Sequence, residues 1–174
     1  GPMEMNFCRR CGTQLIKKSI NVYVCKNEHK LYVNPDPAVN VFFVTDDNHV
    51  LLSVRAFEPY KGMIDSFGGF IDTNETAEQA LEREVMEETG LTSDSYSTPQ
   101  YLCTAIAPYP FGGEIRDTMS LYFWSQVHRN AKLTPADDVA SIVKVPLYAT
   151  KTADMEQIKV IEPFLKLRDV LSDI

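Results

Sequence analysis

The chain has 174 residues, of which 44% are hydrophobic and 24% charged, and its formal net charge is −7. The length and the apolar content predict one globular domain with a hydrophobic core and a small additional segment. Scattered basic residues on an acidic chain argue against a long nucleic acid as partner. The lack of a secretory signal or a membrane-length apolar run predicts a cytoplasmic protein with no membrane partner.

The segment of residues 3–33 contains two pairs of metal-ligating side chains. Cys8 and Cys11 form a C-x2-C pair, and Cys25 and His29 form a C-x3-H pair. Two such pairs flanking a hairpin resemble a zinc ribbon, in which three thiolates and one imidazole hold a structural Zn²⁺ in tetrahedral geometry. The metal would hold together a segment that is too small to build its own core.

Other interpretations of these cysteines are open from the residues alone. A redox C-x-x-C pair is disfavoured because no helical pattern follows it, and disulfides would need an oxidising compartment. Glu28 or an external ligand could replace His29 as the fourth ligand. Residues 19–24 alternate like a β-strand and are predicted to lie between the two ligand pairs. Cys103, the fourth cysteine, is predicted to be an ordinary buried thiol.

A linker and a β-hairpin are predicted next along the chain. Residues 34–37, Asn-Pro-Asp-Pro, connect the N-terminal segment to a main domain that is predicted to span residues 37–174. Residues 38–45 and 50–55 are β-rich, and the turn-forming residues 46–48 separate them. This pattern indicates two adjacent strands.

Two glycines, Gly68 and Gly69, follow the apolar residues 63–67 and precede a loop. Without a Cβ, the backbone here could approach a phosphate or offer a carbonyl to a metal. A glycine pair by itself more often marks only a turn. With the helix that follows, however, both glycines are predicted to bind substrate.

Residues 76–89 are predicted to form a helix, because they contain good helix formers and neither Pro nor Gly. Thr73 or Asn74 is predicted to be the N-cap. Gly90 stands where a left-handed residue commonly ends a helix.

Three glutamates crowd one arc of this predicted helix. Glu88 lies four residues after Glu84, and Glu87 lies three residues after Glu84. Like charges repel in this arrangement unless they are neutralised, and Mg²⁺ takes carboxylate oxygens together with substrate phosphates. The cluster could therefore hold a metal against a pyrophosphate. A solvated acidic face, partly neutralised by Arg83, is the alternative on composition alone.

Strands and a helix are predicted in the remainder of the chain. Residues 101–107, 118–127 and 139–145 are strand-like, and residues 153–171 are helical, with Pro163 starting a new helical turn. Strands mixed with one central and one C-terminal helix predict an α/β fold with a mixed sheet packed between helices.

Residues 69–91 read G-x5-E-x7-R-E-V-x-E-E-x-G-L, which meets every fixed position of the Nudix box. The chain from about residue 37 onward therefore resembles the Nudix hydrolases, here preceded by a small zinc ribbon. The resemblance implies an α/β/α sandwich with a mixed sheet. It also implies an enzyme that uses Mg²⁺ or Mn²⁺ to hydrolyse a phosphoanhydride bond by attack of water on phosphorus.

The resemblance also implies roles for single residues. Glu84, Glu87 and Glu88 would be the ligands of Mg²⁺ or Mn²⁺, and Glu84 could also orient or deprotonate the attacking water. Glu75 and Arg83 would interact and brace the loop against the helix.

Some roles remain open at the level of sequence. Family members differ in the position of the general base, so acidic residues outside the box are candidates for it: Asp137, Asp138 and Glu114. Three basic residues are candidates for holding an anionic substrate, although each one taken singly is more often a plain surface charge: Arg55, Lys61 and Arg116.

The residues Pro108-Tyr109-Pro110-Phe111 resemble part of a motif of the NADH pyrophosphatase branch of the family. Tyr109 stands where that motif has tryptophan, and Ile106-Ala107 replace its Ser-Gln. Tyr109 or Phe111 could stack on a purine or nicotinamide ring, and a rigid Pro-aromatic turn is the alternative.

A zinc ribbon directly before a Nudix domain resembles the NADH pyrophosphatase and ADP-ribose pyrophosphatase branch. We therefore expect a nucleoside-diphosphate-linked substrate of the NADH, ADP-ribose or FAD type, cleaved to AMP and a second monophosphate. A nucleoside-triphosphate pyrophosphohydrolase and a non-catalytic nucleotide-sensing module are the alternatives. A homodimer is expected by analogy with relatives that cleave dinucleotides.

Overall fold

The computed structural model describes residues 5–148 and 160–173 of the chain. The chain divides into two compact units, which we call the N-terminal unit and the main unit. The N-terminal unit comprises Gly1–Asp36 and Ile106–Met119, and the main unit comprises Pro37–Ala105 and Ser120–Ile174. Within the described part of the chain, no helix has the length and apolar character needed to cross a membrane.

The described residues before Pro37 form a small antiparallel sheet. Its strands, in spatial order, are β1 (Leu15–Ser19), β2 (Val22–Cys25) and β3 (Lys30–Tyr32). A hairpin therefore lies between the two ligand pairs, but the single strand predicted at residues 19–24 is wrong, because residues 20–21 form the turn. The apolar Ile20, which is 84% exposed, continues the alternating pattern through this turn and conceals it in the sequence.

A mixed seven-stranded sheet is the centre of the described main fold. Its order is β10-β5-β4-β9-β8, with β6 beside β5 and β7 beside β4. The strands are β4 (Asp36–Val44), β5 (His49–Arg55), β6 (Ile64–Asp65), β7 (Phe67–Phe70), β8 (Gln100–Phe111), β9 (Glu114–Gln126) and β10 (Val139–Pro146). The predicted hairpin is confirmed, since β4 and β5 pair antiparallel.

Two helices pack against opposite faces of this sheet. Successive residues of a strand face opposite sides, so β4 contributes side chains to both faces. The helices are α1 (Ala77–Thr89) and α2 (Ile161–Ser172). One buried cluster combines Val39, Val41 and Phe43 of β4 with Ala80, Leu81 and Val85 of α1. A second buried cluster combines Phe42 and Val44 of β4 with Phe164 and Leu167 of α2. The predicted α/β/α arrangement with a mixed sheet is therefore confirmed.

The three strands predicted after α1 are present as β8, β9 and β10. Strand β8 is longer than predicted, since the Pro-aromatic residues 108–111 belong to it and do not form a turn. The chain turns at Gly112 and Gly113, which have φ angles of 58° and 82°. Strand β8 is the last in the sheet order, and an edge strand tolerates prolines because their missing N–H groups interrupt no central ladder.

The predicted C-terminal helix is present in part as α2. Residues 149–159 lie outside the described residues, so the predicted start at residue 153 falls in that segment. Pro163 lies in the first turn of α2, where its missing N–H group costs no intrahelical hydrogen bond.

Candidate active site and metal centre

Helix α1 begins one residue later than predicted and has a different N-cap. The predicted N-cap at Thr73 or Asn74 is wrong, because Thr76 caps the helix. The amide of Gln79 donates to Thr76 Oγ1 at 3.1 Å, and the amide of Thr76 donates to Gln79 Oε1 at 2.9 Å. This reciprocal pair is a capping box. Gly90 ends the helix with a left-handed φ of 75°, as predicted.

Arg83 joins α1 to the segment that precedes it. Its Nε donates to Glu75 Oε2 at 2.7 Å, and its Nη2 donates to Glu75 Oε1 at 2.8 Å. The same Nη2 donates to the carbonyl of Phe70, the last residue of β7, at 3.1 Å. The hydrogen bonds from Arg83, together with one from the amide of Asp72, lower the pKa of Glu75 to about 2. A bidentate contact of this kind fixes both side chains in one geometry, and it braces the loop against the helix.

Arg83 also neutralises part of the glutamate cluster. Its Nη1 lies 2.9 Å from Glu84 Oε1 and 3.4 Å from Glu87 Oε2. The side chain of Glu84 is 14% exposed, whereas that of Glu87 is 44% exposed. Burial raises the pKa of Glu84, and the contact with Arg83 opposes that effect.

Glu88 is the most buried of the three glutamates, with 6% of its surface exposed. The amide of Gly68 donates to its Oε1 at 2.7 Å. Burial, with smaller contributions from the charges of Glu84, Asp65 and Asp138, raises the pKa of Glu88 to about 8, and the hydrogen bond from Gly68 opposes this rise. The alternative of a solvated acidic face therefore does not describe Glu88.

Gly68 and Gly69 lie in β7 and pair with Asn40 and Val39 of β4, so the turn considered from the sequence is absent here. Gly68 has a φ of 153°, and a Cβ on it would meet the carbonyl oxygen of Val39 at 1.9 Å. A Cβ on Gly69 would meet the carboxylate of Glu84 at 2.5 Å. The glycines therefore allow the carboxylates of α1 to lie directly against the strand.

The loop before β10 brings two more acidic residues towards the same centre. The amide of Ala136 donates to the carbonyl of Glu88 at 3.1 Å, which fixes the loop at the end of α1. Asp137 raises the pKa of Glu84, and Asp138 raises that of Glu88. Two of the three sequence candidates for the general base are therefore electrostatically coupled to the glutamates.

Asp65 is a further carboxylate at this centre, and it was not predicted from the sequence. It is 7% exposed, and its Oδ2 lies 3.5 Å from Nη1 of Arg55. Its charge contributes to the raised pKa of Glu88. Its position among the apolar residues 63–67 was the available signal. A charged residue in such a segment is expected to be buried, and buried charges usually have a partner or a function.

The remaining residues predicted for the site lie on other elements than α1 and β7. Tyr109, Glu114 and Arg116 belong to the N-terminal unit. Arg116 forms an ion pair with Asp36, with its Nε 2.7 Å from Oδ2. Phe111 is the last residue of β8, and its side chain lies outside the described part of the structure. Lys61, the remaining basic candidate, is exposed in the loop between β5 and β6.

Cys8, Cys11, Cys25 and His29 form one cluster in the N-terminal unit, with their ligand atoms within 4.8 Å of one another. The Sγ atoms of Cys11 and Cys25 are 3.8 Å apart, and Sγ of Cys8 is 3.5 Å from Nδ1 of His29. Tetrahedral bonds of about 2.3 Å to sulfur and about 2.05 Å to nitrogen would give separations of about 3.8 Å and about 3.5 Å. The donor set therefore fits Zn²⁺.

The cysteines of the cluster are free thiols, and one of them is held towards its thiolate form. All four cysteines of the chain are free, which excludes the disulfide alternative in this structure. Hydrogen bonds from Thr13 and Asn27 lower the pKa of Cys11 to about 5, towards the thiolate that binds metal. Cys103 belongs to the main unit and is partly buried, so the predicted buried thiol is present only in part.

Residues 34–163 match the NUDIX domain family, and the chain belongs to that family. An ADP-ribose pyrophosphatase of Methanocaldococcus jannaschii is 38% identical over 85 residues, which cover 49% of this chain and 47% of the relative. The human mitochondrial NAD(P)H pyrophosphatase NUDT13 is 34% identical over 61% of this chain and 29% of its own length. The NAD-capped RNA hydrolase NudC of Klebsiella pneumoniae is 31% identical over 77% of this chain and 56% of its own length. The matches thus span between about a third and about half of these relatives.

Solved structures show the same fold at low sequence identity. A NUDIX hydrolase from Nitrosomonas europaea superposes with a TM-score of 0.66 at 21% identity, covering 97% of this chain and 92% of that one. The NUDIX domain of Shewanella oneidensis NrtR, solved with ADP ribose, has a TM-score of 0.61 at 21% identity, covering 80% and 90%. The fold described above is therefore a recurring one.

Proposed function

We propose that this chain is a metal-dependent pyrophosphohydrolase that cleaves a nucleoside-diphosphate-linked substrate to AMP and a second monophosphate. The substrate is of the NADH, ADP-ribose or FAD type. The observation that carries the proposal is the placement of Glu84 and Glu88 against β7, with Glu88 buried at the amide of Gly68 and Glu87 beside them on the same helix. A helix that only faced water would not bury a carboxylate.

Glu84, Glu87 and Glu88 would hold Mg²⁺ or Mn²⁺. Among the described residues no cation pairs with Glu88, so the buried carboxylate lacks the charge partner that a divalent ion would supply. When bound, the metal would neutralise the non-bridging phosphate oxygens and lower the pKa of the attacking water. Arg83 and Glu75 would keep the helix and the preceding loop in register around this centre.

A general base is proposed from the chain's own carboxylates. Glu84 could orient or deprotonate the water that attacks phosphorus. Asp137 and Asp138 are supported over Glu114, because their charges act on Glu84 and Glu88. Gly68 and Gly69 would leave room for the diphosphate beside the carboxylates, since neither carries a side chain.

The substrate class is supported by the names of the relatives, which include an ADP-ribose pyrophosphatase and an NAD(P)H pyrophosphatase. The domain division proposed is a structural zinc ribbon at residues 3–33, with Cys8, Cys11, Cys25 and His29 as ligands, and a hydrolase domain at residues 37–174. A homodimer is the proposed assembly.

A product-resolved screen tests this function. The purified chain would be incubated with Mg²⁺ or Mn²⁺ and with NADH, NAD⁺, ADP-ribose, FAD, diadenosine polyphosphates or nucleoside triphosphates. Release of AMP from the linked substrates is the expected result. Release of inorganic pyrophosphate from triphosphates alone would favour the triphosphate alternative, and binding without cleavage would favour the sensing module.

Tyr109 is proposed to contact a ring of a dinucleotide substrate. Replacing Tyr109 by Ala should raise KM for NADH several-fold more than KM for a nucleoside triphosphate. The proposed contact is with the ring of the second nucleotide of NADH, which a nucleoside triphosphate lacks. Initial rates on both substrates measure the two changes. Equal changes would leave the proposed ring contact without support.

Without added Mg²⁺, the carboxyl group of Glu88 is expected to reduce the free energy of unfolding as the pH rises. Its pKa in the folded chain is raised from the ordinary 4.5 to about 8. Between pH 4.5 and about pH 8 the unfolded chain loses a proton that the folded chain retains. The contribution of this group to stability is therefore fully present below pH 4.5 and is lost as the pH rises to about 8. Each tenfold difference in the proton affinity of this group between the folded and the unfolded chain changes the free energy of unfolding by about 1.4 kcal/mol.

Thermal unfolding of the wild type and of Glu88→Gln across this pH range measures the effect. The Tm of the wild type should fall relative to that of the variant as the pH rises, and added Mg²⁺ should reverse this fall by binding the carboxylate. Magnesium is omitted and not chelated, because a chelator would also compete for zinc. A difference in Tm that does not change with pH would contradict the assignment.

A further inference from the structure

The loop of residues 56–62, which we call the aromatic loop, leaves β5 and returns to β6. Its two ends are held together, since the amide of Arg55 donates to the carbonyl of Met63 at 3.0 Å and the amide of Gly62 donates to the carbonyl of Arg55 at 2.9 Å. The amide of Ala56 donates to the carbonyl of Asp138 at 2.9 Å. The loop is therefore fixed at its base to the residue that precedes β10.

The base of the aromatic loop lies at the glutamate centre. Asp138 accepts the hydrogen bond from Ala56, and Asp65 follows the loop in β6. The segment of Asp138 contacts Glu88, because the amide of Ala136 donates to the carbonyl of Glu88 at 3.1 Å. The strand segment after Asp65 also contacts Glu88, because the amide of Gly68 donates to its Oε1 at 2.7 Å. Both ends of the loop are therefore connected to segments that contact Glu88.

Arg55 connects the middle of the loop to Asp65. Its Nε donates to the carbonyl of Pro59 at 2.8 Å, and its Nη1 lies 3.5 Å from Asp65 Oδ2. One side chain thus connects the inside of the loop to the carboxylate beside Glu88. The loop is anchored at its ends and in its middle.

Two aromatic side chains stand on this anchored loop. Phe57 is 60% exposed, and Tyr60 is 37% exposed. Tyr60 also has a left-handed φ of 63°, which is uncommon for a bulky residue, and such backbone strain clusters at functional sites. An exposed phenyl ring on a loop that is anchored to the segments contacting Glu88 has the chemistry to stack on a base.

We propose that Phe57 is a substrate-binding residue that stacks on the nucleobase of the substrate. This inference rests on the proposed function, and it adds a base-binding position in the main unit that is independent of Tyr109. The AMP part of the substrate contains both the base and a phosphate, so AMP itself is the probe.

Equilibrium binding of AMP to the full chain in the presence of Mg²⁺ tests the proposal. Phe57→Ala should weaken AMP binding by about tenfold, because the stacking surface is removed. Phe57→Leu, which remains apolar but has no flat ring, should weaken it similarly, whereas Phe57→Tyr should retain it. Phe7→Ala is the matched control, since Phe7 is also a phenylalanine with 61% exposure but lies in the N-terminal unit.

Three outcomes would overturn the proposal: wild type that does not bind AMP, unchanged affinity in Phe57→Ala, or an equal loss in Phe7→Ala. The Tm of each variant shows that the chain is folded. The proposed hydrolytic activity is tested separately by measuring AMP release from ADP-ribose, NADH and FAD. Hydrolysis by the wild type together with unchanged AMP affinity in Phe57→Ala would retain the function and reject the base contact.

Discussion

Replacing Glu88 by Gln is expected to lower kcat for a diphosphate substrate by at least about a hundredfold, and Glu84→Gln should have an effect of similar size. The amide oxygen of Gln can still accept the hydrogen bond from Gly68 that Glu88 Oε1 accepts at 2.7 Å. The fold should therefore survive, because the substitution removes a buried charge and retains the shape of the side chain. What is lost is the negative charge that the proposed metal requires.

Initial rates with saturating substrate and Mg²⁺ measure this loss, with circular dichroism and Tm as measures of folding. Glu82→Gln is the matched control, since Glu82 lies on the same helix and is exposed. The control should keep the wild-type rate. Rates close to that of the wild type in both Glu88→Gln and Glu84→Gln would eliminate the proposed mechanism.

Cys25→Ser is expected to abolish zinc binding in the N-terminal unit. Cys25 is 5% exposed, and it forms a small buried cluster with Cys8 and Leu15. Since three buried residues are a minimal core, the metal should supply most of the stability of this segment. Zinc binding by zinc-finger peptides contributes about 10–16 kcal/mol, which far exceeds what such a core can provide.

Metal analysis and hydrogen exchange measure this effect. The wild type should contain one zinc per chain, whereas Cys25→Ser should contain none and should lose protection of the amides in β1, β2 and β3. Cys103→Ser is the matched control, because Cys103 is the one cysteine outside the ligand cluster and should leave the zinc in place. A wild-type protein without zinc would defeat the ribbon assignment.

The helix of the candidate site could be predicted because its signals are local. The spacing of Glu84, Glu87 and Glu88 and the left-handed Gly90 depend only on a 3.6-residue repeat and one backbone angle. The N-cap could not be predicted, since Asn74 and Thr76 are both good capping residues. Thr76 is the cap because Gln79 completes the capping box, while Asn74 adopts a left-handed φ of 66° in the preceding turn.

Features that depend on strand pairing could not be predicted in the same way. Gly68 lies in a strand because it pairs with Asn40, which is far away in the sequence. Asp65 and Asp138 lie near Glu88 only because β6 and the loop before β10 are brought together by strand pairing, so the sequence could name Asp138 as a candidate but could not place either residue. The prolines of residues 108–111 suggested a turn, but their strand lies at the edge of the sheet, and edge position is a tertiary property.

The adjacent glycines of β7 are needed for two separate structural reasons. A methyl group at Gly68 would collide with the main-chain oxygen of Val39, which cannot move without breaking the sheet. A methyl group at Gly69 would collide with the movable end of Glu84 instead. A side chain at the first position should therefore lower the yield of correctly folded protein. At the second it should leave the sheet intact and turn a carboxylate away from the strand, so the two positions separate folding from the placement of charge.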